Sequence, residues 1–357
     1  MTNINLLEHN GKTINRIYSL DFLRIIATLI IVMHHYQQLM RVFFDGPVNF
    51  YGDEFYFGYL VEFFFILSGY LCVIREKNLK DYMTHRCARL LPLLAISVIV
   101  YEVLIYLYGL LNGTDWKFGT EINIWGSIIT ALGLQSGGAF ANPMINSPTW
   151  YISVLLLCYL LYYLVTSYAV SHNFNVNIVY GIVIICSISA LTFEVNLPFM
   201  NYESARGYLS FFVGILLHKI INKYHDNGYK KYVVSSILVI WLTWCMINHL
   251  EWMSNGLNYI LIFIYYPCII LLFTSNFIEK ILNFKWLGTL GKISYDVYIW
   301  HCPFFLLLYI FVELGLKLNF SRYRYMLLYT CMACIVGAIS YFIIDKPITK
   351  KIHNKIN

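Results

Sequence analysis

Charge is scarce in this sequence. Asp, Glu, Lys and Arg make up 12% of its 357 residues, against about 25% in a soluble domain. With 59% hydrophobic residues and a mean hydropathy of +0.62, this excludes an ordinary water-soluble fold. The short alternating segments of a β-barrel are absent too. The nine cysteines are scattered, most of them inside apolar runs. They form no Cys/His cluster for zinc and no disulfide framework, so buried structural cysteine and no metal are expected. No internal repeat, low-complexity tract or soluble domain interrupts the chain. No cleavable signal peptide is expected, because the first apolar run is full length, carries charges and lacks a small-residue cleavage site.

What the chain has in abundance is long apolar runs. They lie at roughly 20–37, 56–74, 90–111, 149–170, 177–193, 207–221, 233–248, 258–275, 294–315 and 325–344. Such runs suit a hydrocarbon core about 30 Å thick. Tyr and Trp often stand near their ends, as at membrane interfaces. The pattern predicts an all-α fold, a polytopic membrane helix bundle of about ten transmembrane helices. The stretch "IWGSIITALGL" (124–134) is apolar but short, and reads as re-entrant or interfacial. Counting it as a span would place the basic segments "HKIINKYHDNGYKK" and "DKPITKKIHNKIN" outside, against the positive-inside rule. Ten spans with both termini cytoplasmic satisfy that rule, with Lys317, Arg322 and Arg324 among the few basic residues left outside. Residues 1–19 then form a cytoplasmic N-terminal segment and 345–357 a cytoplasmic tail. The whole chain, 1–357, reads as a single membrane domain, with 112–148 as an outer loop able to cap a site. The net charge of +6 sits mainly in short loops, where it sets topology, so no nucleic-acid partner is expected.

Against this apolar background, ionisable residues inside the runs stand out. A charge at the bilayer centre costs at least about 2.5 kcal/mol, and such residues usually mark function. The first run, "LDFLRIIATLIIVMHHYQQ", carries Asp21, Arg24, His34 and His35. Arg24 and His35 are eleven residues apart, which on a helix is three turns plus about 20°, so they share one face about 16 Å apart along the axis. His34 points about 100° away and is expected to pack or hydrogen-bond elsewhere. Histidine can take and return a proton near neutral pH. The plainer readings are that Arg24 snorkels to headgroups and His35 bonds a neighbouring helix.

Glu62 lies in "GYLVEFFFILSGYL" and needs a partner, with Arg24 and His35 as candidates; a structural helix–helix pair is the alternative. Arg86 and Arg89, in "HRCARLLP", are i,i+3 neighbours at a cytoplasmic helix start. They suit clamping phosphates or ordinary interfacial anchoring. Trp150 opens a span in "SPTWYISV" and by itself reads as an interfacial anchor. Arg206 stands at an outer helix end, against the inside bias. His301 sits mid-run in "LGKISYDVYIWHCPFF", where a packing role is the plain reading.

Taken in order, these segments resemble the acyltransferase-3 family of integral-membrane acyltransferases, from residue 20 to about 347. Asp21, Arg24 and His35 match its "DxLRxxAxxxVxxxH" helix. Glu62, Phe64, Phe65, Leu67, Ser68, Gly69 and Tyr70 match "(D/E)xFFxLSG(F/Y)". Arg86, Arg89 and Pro92 match "RRxxRxxP", with His85 in place of the first arginine. "TWYISV" is similar to "xWxLSV", "SYDVYIWHCP" to "SYxxYLxHxP", and "SYFIIDKP" to "SYxxIExP" with Asp345 for glutamate. Leu155 stands where many members carry glutamate, which resembles a branch of the family lacking this acid. The soluble esterase-like domain fused to some members is not expected here.

The resemblance implies a membrane O-acyltransferase, an enzyme moving acetyl from acetyl-CoA to a sugar hydroxyl of a cell-surface or lipid-linked polysaccharide. It implies acyl-CoA as donor substrate without a permanently bound cofactor, a glycan acceptor and membrane lipids as partners, and a bacterial cytoplasmic membrane. It leaves oligomeric state unassigned. On this reading His35 is the general base, or is transiently acylated. Arg24 pairs with donor phosphate or the oxyanion, and Glu62 orients His35. Arg86 and Arg89 hold CoA, while Trp150, Ser153, Arg206 and His301 line the acceptor side. The alternative is a non-catalytic exporter of the polysaccharide or its lipid-linked precursor.

Overall fold

A computed structural model of the chain describes residues 16–43, 57–74, 78–112, 124–136, 145–224, 228–250, 256–316 and 322–356. Lys317 and most of the expected outer cap, at 113–123 and 137–144, fall outside the described residues. Every regular element of the described chain is a helix. The helices are α1 (Tyr18–Phe43), α2 (Leu60–Tyr70), α3 (Leu79–Asn112), α4 (Ile124–Ala131), α5 (Trp150–Ser171), α6 (Val176–Thr192) and α7 (Tyr202–Lys223). There follow α8 (Lys230–Ile247), α9 (Leu257–Phe273), α10 (Asn276–Ile281), α11 (Lys285–Glu313), α12 (Tyr323–Ser340) and α13 (Lys346–Ile356). No β-strand occurs among the described residues, and one isolated bridge joins Leu197 and Met200.

Each expected apolar run falls on a helix. Among the described residues, six helices are long and apolar enough to cross a membrane, and Phe57–Tyr70, Val176–Thr192 and Leu257–Phe273 are shorter apolar ones. The faces they leave uncovered are apolar at helical spacing. On α8 these are Val233, Ile237, Ile240, Trp244 and Ile247; on α12 they are Leu328, Met332, Ile335 and Ile339. Such stripes are unfavourable in water and suited to lipid. α4 has eight residues, about 12 Å at 1.5 Å each, which is too short to cross. Gly133 ends it with φ +68°, and the bonds Gly133 N to Thr130 O and Leu134 N to Ile129 O complete a left-handed C-cap.

Prolines interrupt several helices, and Pro92 lies inside α3. Pro303 lies inside α11. π-helical turns occupy Leu261–Tyr265 and Tyr341–Asp345. Each lies just ahead of a proline, Pro267 and Pro347, which cannot supply the N–H a regular helix needs. The cysteines include one CxxC spacing, Cys331 and Cys334 on α12, and both are free thiols.

The chain divides into two compact units. The first takes in 1–23, 59–83 and 157–288. Its centre is the close pairing of α2 with α7. A Cβ on Gly69 would lie 2.0 Å from Phe211 O, and one on Gly214 would lie 2.1 Å from Ile66 O. Only glycine allows this approach, the usual way membrane helices pack tightly. α7 is started by a capping box between Asn201 and Ser204.

The second unit takes in 24–58, 84–156 and 289–357. Its core joins Val32, Tyr36 and Met40 of α1 to Ile105 and Tyr108 of α3, Phe305 and Tyr309 of α11, and Met326 and Tyr329 of α12. α11 and α12 touch at Gly337, where a Cβ would lie 2.5 Å from Val297 Cγ2.

Candidate active site

α1 is one unbroken helix through residues 24 to 35, so Arg24 and His35 share a face. His35 meets His301 of α11 in the second unit. The two rings are stacked with centroids 4.9 Å apart, and His35 Nδ1 lies 2.8 Å from His301 Nε2.

The protons on this pair follow from the bonds around it. His301 Nδ1 lies 2.6 Å from the carbonyl oxygen of Tyr298. A carbonyl only accepts, so Nδ1 carries the hydrogen, and in a neutral ring Nε2 of His301 is then an acceptor. His35 must therefore donate from its own Nδ1. Nε2 of His35 is left as a bare, basic nitrogen, and it has no hydrogen-bond partner among the described residues. His301 is fully buried, whereas His35 is half-buried. The reachable end of the pair is thus the basic one. Tyr329 donates its hydroxyl to His301 O, and the thiol of Cys302 lies 3.4 Å from His301 Nε2. His34 is buried with its ring 5.8 Å from that of His35.

Arg89 is half-exposed, ten residues into α3. Its Nη1 donates to Asp345 Oδ2 at 2.6 Å, and its guanidinium lies 5.3 Å from the centre of the Tyr295 ring. Asp345 also accepts from Thr349 at 3.1 Å. These contacts fix the guanidinium and leave Nε and Nη2 without a partner among the described residues. Arg86 and Arg24 are half-buried in the same unit. Tyr295, which faces Arg89, donates its hydroxyl to Leu90 O. Along α11, Tyr295 precedes His301 by six residues, about 9 Å of helix.

Trp150 is half-buried at the start of α5, and Ser153 is fully buried with its hydroxyl accepting from Ser136 N at 3.1 Å. The hydroxyl of Tyr298 is bonded to Pro148 O, which ties this segment to the turn of α11 that carries His301.

Glu62 and Arg206 belong to the first unit, and there they bond each other. Arg206 Nε donates to Glu62 Oε1 at 2.6 Å, and both side chains are buried. The Tyr202 ring lies 5.2 Å from the guanidinium. The partner of Glu62 is therefore Arg206, and neither of the two candidates suggested by the sequence. Glu102, inside an apolar run and not singled out by its sequence context, bonds the Ser127 hydroxyl of α4 through Oε1. Asp345 and Asn146 likewise had no role assigned from sequence. Pro347, two residues after Asp345, was the available signal there; Asn146 is tied to Pro303 only through the Ile299 carbonyl.

The sequence matches a family model described as an acyltransferase domain over residues 17–345. The chain belongs to the acyltransferase-3 family. Curated relatives include the O-acetyltransferase OatA of Staphylococcus aureus, strains NCTC 8325 / PS 47, COL and MRSA252, each 23% identical over 386 residues. The alignment covers 95% of this chain and 59% of each relative, so the chain spans under two thirds of their length. No solved structure matches it. Family membership and the lipid-suited helices together make this an integral membrane protein.

Proposed function

We propose that the protein is a membrane O-acyltransferase that moves acetyl from acetyl-CoA to a sugar hydroxyl of a cell-surface or lipid-linked polysaccharide. One observation carries the reading: the His301–His35 chain presents a bare imidazole nitrogen at its reachable end. The family and the printed name of the OatA relatives support acyl and acetyl transfer.

In the proposed reaction the acceptor hydroxyl oxygen attacks the thioester carbonyl while His35 Nε2 takes its proton. The new C–O bond forms, the C–S bond breaks, and the proton passes from His35 to the CoA sulfur. His301 keeps Nδ1 of His35 engaged throughout, as the third member of a triad orients its base. Arg24 stabilises the carbonyl oxygen as it gains charge, or the donor phosphate. Arg89, held by Asp345 and Tyr295, offers its unused donors to CoA phosphate, with Arg86 one turn away. Trp150 and Ser153 lie on the acceptor side. Glu62 and Arg206, bonded to each other beside two glycine contacts, hold α2 to α7. The topology in this reading has ten spans, with both termini in the cytoplasm of a bacterial cell and acetyl-CoA reaching the start of α3 from that side.

The test is acetyl-ester formation on surface polysaccharide by membranes carrying the wild-type chain or His35→Ala, read by mass spectrometry together with free CoA release. The expected result is ester and CoA from the wild type and neither from the variant. Undiminished ester with normally expressed His35→Ala would overturn the assignment. Polysaccharide crossing vesicles with no acyl donor present would establish export instead.

A further inference from the structure

Pro303 has no N–H, so the carbonyl four residues earlier in α11, that of Ile299, loses its helical partner. His301 lies between these two positions, in the turn that the proline leaves open. A helix bends most readily at such a turn, so the placing of His301 depends on bonds from outside α11. Asn146 supplies the missing donor, with Nδ2 3.2 Å from Ile299 O. The amide cannot be turned over, because a flip would point its oxygen at that carbonyl.

A second bond runs the opposite way. The hydroxyl of Tyr298 donates to Pro148 O, so residues 146–148 and 298–299 are tied in both directions. Tyr298 is also the residue whose carbonyl turns the His301 ring. Asn146 is itself held fast. It is fully buried at φ 53°, a left-handed conformation that asparagine tolerates. Its carbonyl accepts from the Thr149 backbone at 2.9 Å and from the Thr149 hydroxyl at 2.8 Å. Gln135 in turn donates to Thr149 at 2.8 Å. Tyr329 and Ser340 also bond this turn of α11, at His301 O and Trp300 Nε1. Neither bonds Ile299 O, so among the described residues the bond that replaces the lost one is that of Asn146.

We propose that Asn146 is a positioning residue for the imidazole pair. Through the Ile299 carbonyl it closes the turn that carries His301. That keeps His301 Nε2 in place 2.8 Å from His35 Nδ1, and so keeps Nε2 of His35 basic. Asn146 itself touches neither substrate. The proposal rests on the transfer reading of His35. It also makes Asn146 and Pro303 a conditional pair: the amide matters because residue 303 has no N–H, and would cease to matter if it had one.

The experiment uses the full chain in membrane vesicles with acetyl-CoA and de-O-acylated surface polysaccharide. It compares the wild type, Asn146→Ala, Pro303→Ala and the double variant, with rates taken per folded chain. Asn146→Ala is expected to lower kcat about tenfold with both KM values unchanged. Pro303→Ala returns an N–H to Ile299 O and is expected to form ester; adding Asn146→Ala to it should cost nothing further. A kcat unmoved by Asn146→Ala, a shift of KM in its place, or an equal loss in both backgrounds overturns the proposal. So does a Pro303→Ala chain that forms no ester, since either donor should satisfy that carbonyl. If Asn146→Ala alone does not accumulate, the comparison within the Pro303→Ala background carries the test. Equal kcat there supports the proposal, and a loss there, or a double variant that does not accumulate either, overturns it. A wild-type chain that forms no ester overturns the transfer reading itself, a result distinguishable from all of these.

Discussion

Two polar pairs interrupt the apolar interior, and they are built to opposite ends. In the first unit Glu62 and Arg206 are opposite charges bonded to each other, beside glycine contacts that bring α2 and α7 to backbone distance. In the second unit His35 and His301 are imidazoles ordered by one carbonyl, so that a basic nitrogen is left over at the half-buried end. The first arrangement neutralises what it buries. The second orients what it leaves reachable. A charge inside a membrane helix is thus no sign of chemistry by itself; what matters is whether an opposite charge neutralises it where it is buried.

The sharpest break in the comparison comes from unpairing the charges. Glu62→Ala leaves Arg206 buried and uncompensated, an effect of about 3–5 kcal/mol. The expected outcome is loss of folded protein in detergent melting and in membrane yield, whatever the assay of activity. Replacing both residues, Glu62→Leu with Arg206→Met, should recover yield. A Glu62→Ala chain that is fully stable but inactive would instead place Glu62 with the chemistry.

His35→Ala should show the reverse pattern, a rate loss of about 10²–10⁴-fold with an unchanged melting temperature. A large drop in stability would make the imidazole pair structural. His301 divides more finely. His301→Ala removes the acceptor for His35 Nδ1 and should lower kcat about 10–100-fold with little change in KM. His301→Gln, which offers an amide oxygen to that N–H, should recover most of it. Equal loss in both variants would argue against orientation of His35.

The smallest effect belongs to Arg89 and its partner Asp345. Asp345→Asn weakens the hold on Arg89 without removing the guanidinium. It should raise the acetyl-CoA KM about fivefold, as expected for roughly 1 kcal/mol of lost charge-assisted bonding. The polysaccharide KM should not move, and a shift there would detach Arg89 from the donor.

Much of the fold was legible in the sequence because lipid imposes a simple rule. Apolar runs must be helices, as at α1, α5 and α12, and α4 was marked as too short to span. The stripe from Arg24 to His35 was legible for the same reason, since helical spacing alone sets it. Partnerships were not. Glu62 had plausible mates in Arg24 and His35, and only packing gave it Arg206, 144 residues away. Glu102 and Asn146 were missed because neither has local spacing to distinguish it; their meaning comes from Ser127 and from the carbonyl freed by Pro303.

The sequence by itself determined a helical membrane protein and put an arginine and a histidine on one helix face, because 1.5 Å and 100° per residue need no further information. The tertiary structure alone decided which nitrogen of that histidine is left without a hydrogen. Imidazole is symmetric enough to serve either way, so its direction depends on what bonds the other nitrogen. That is His301, 266 residues further along the chain, itself turned by a single carbonyl of α11.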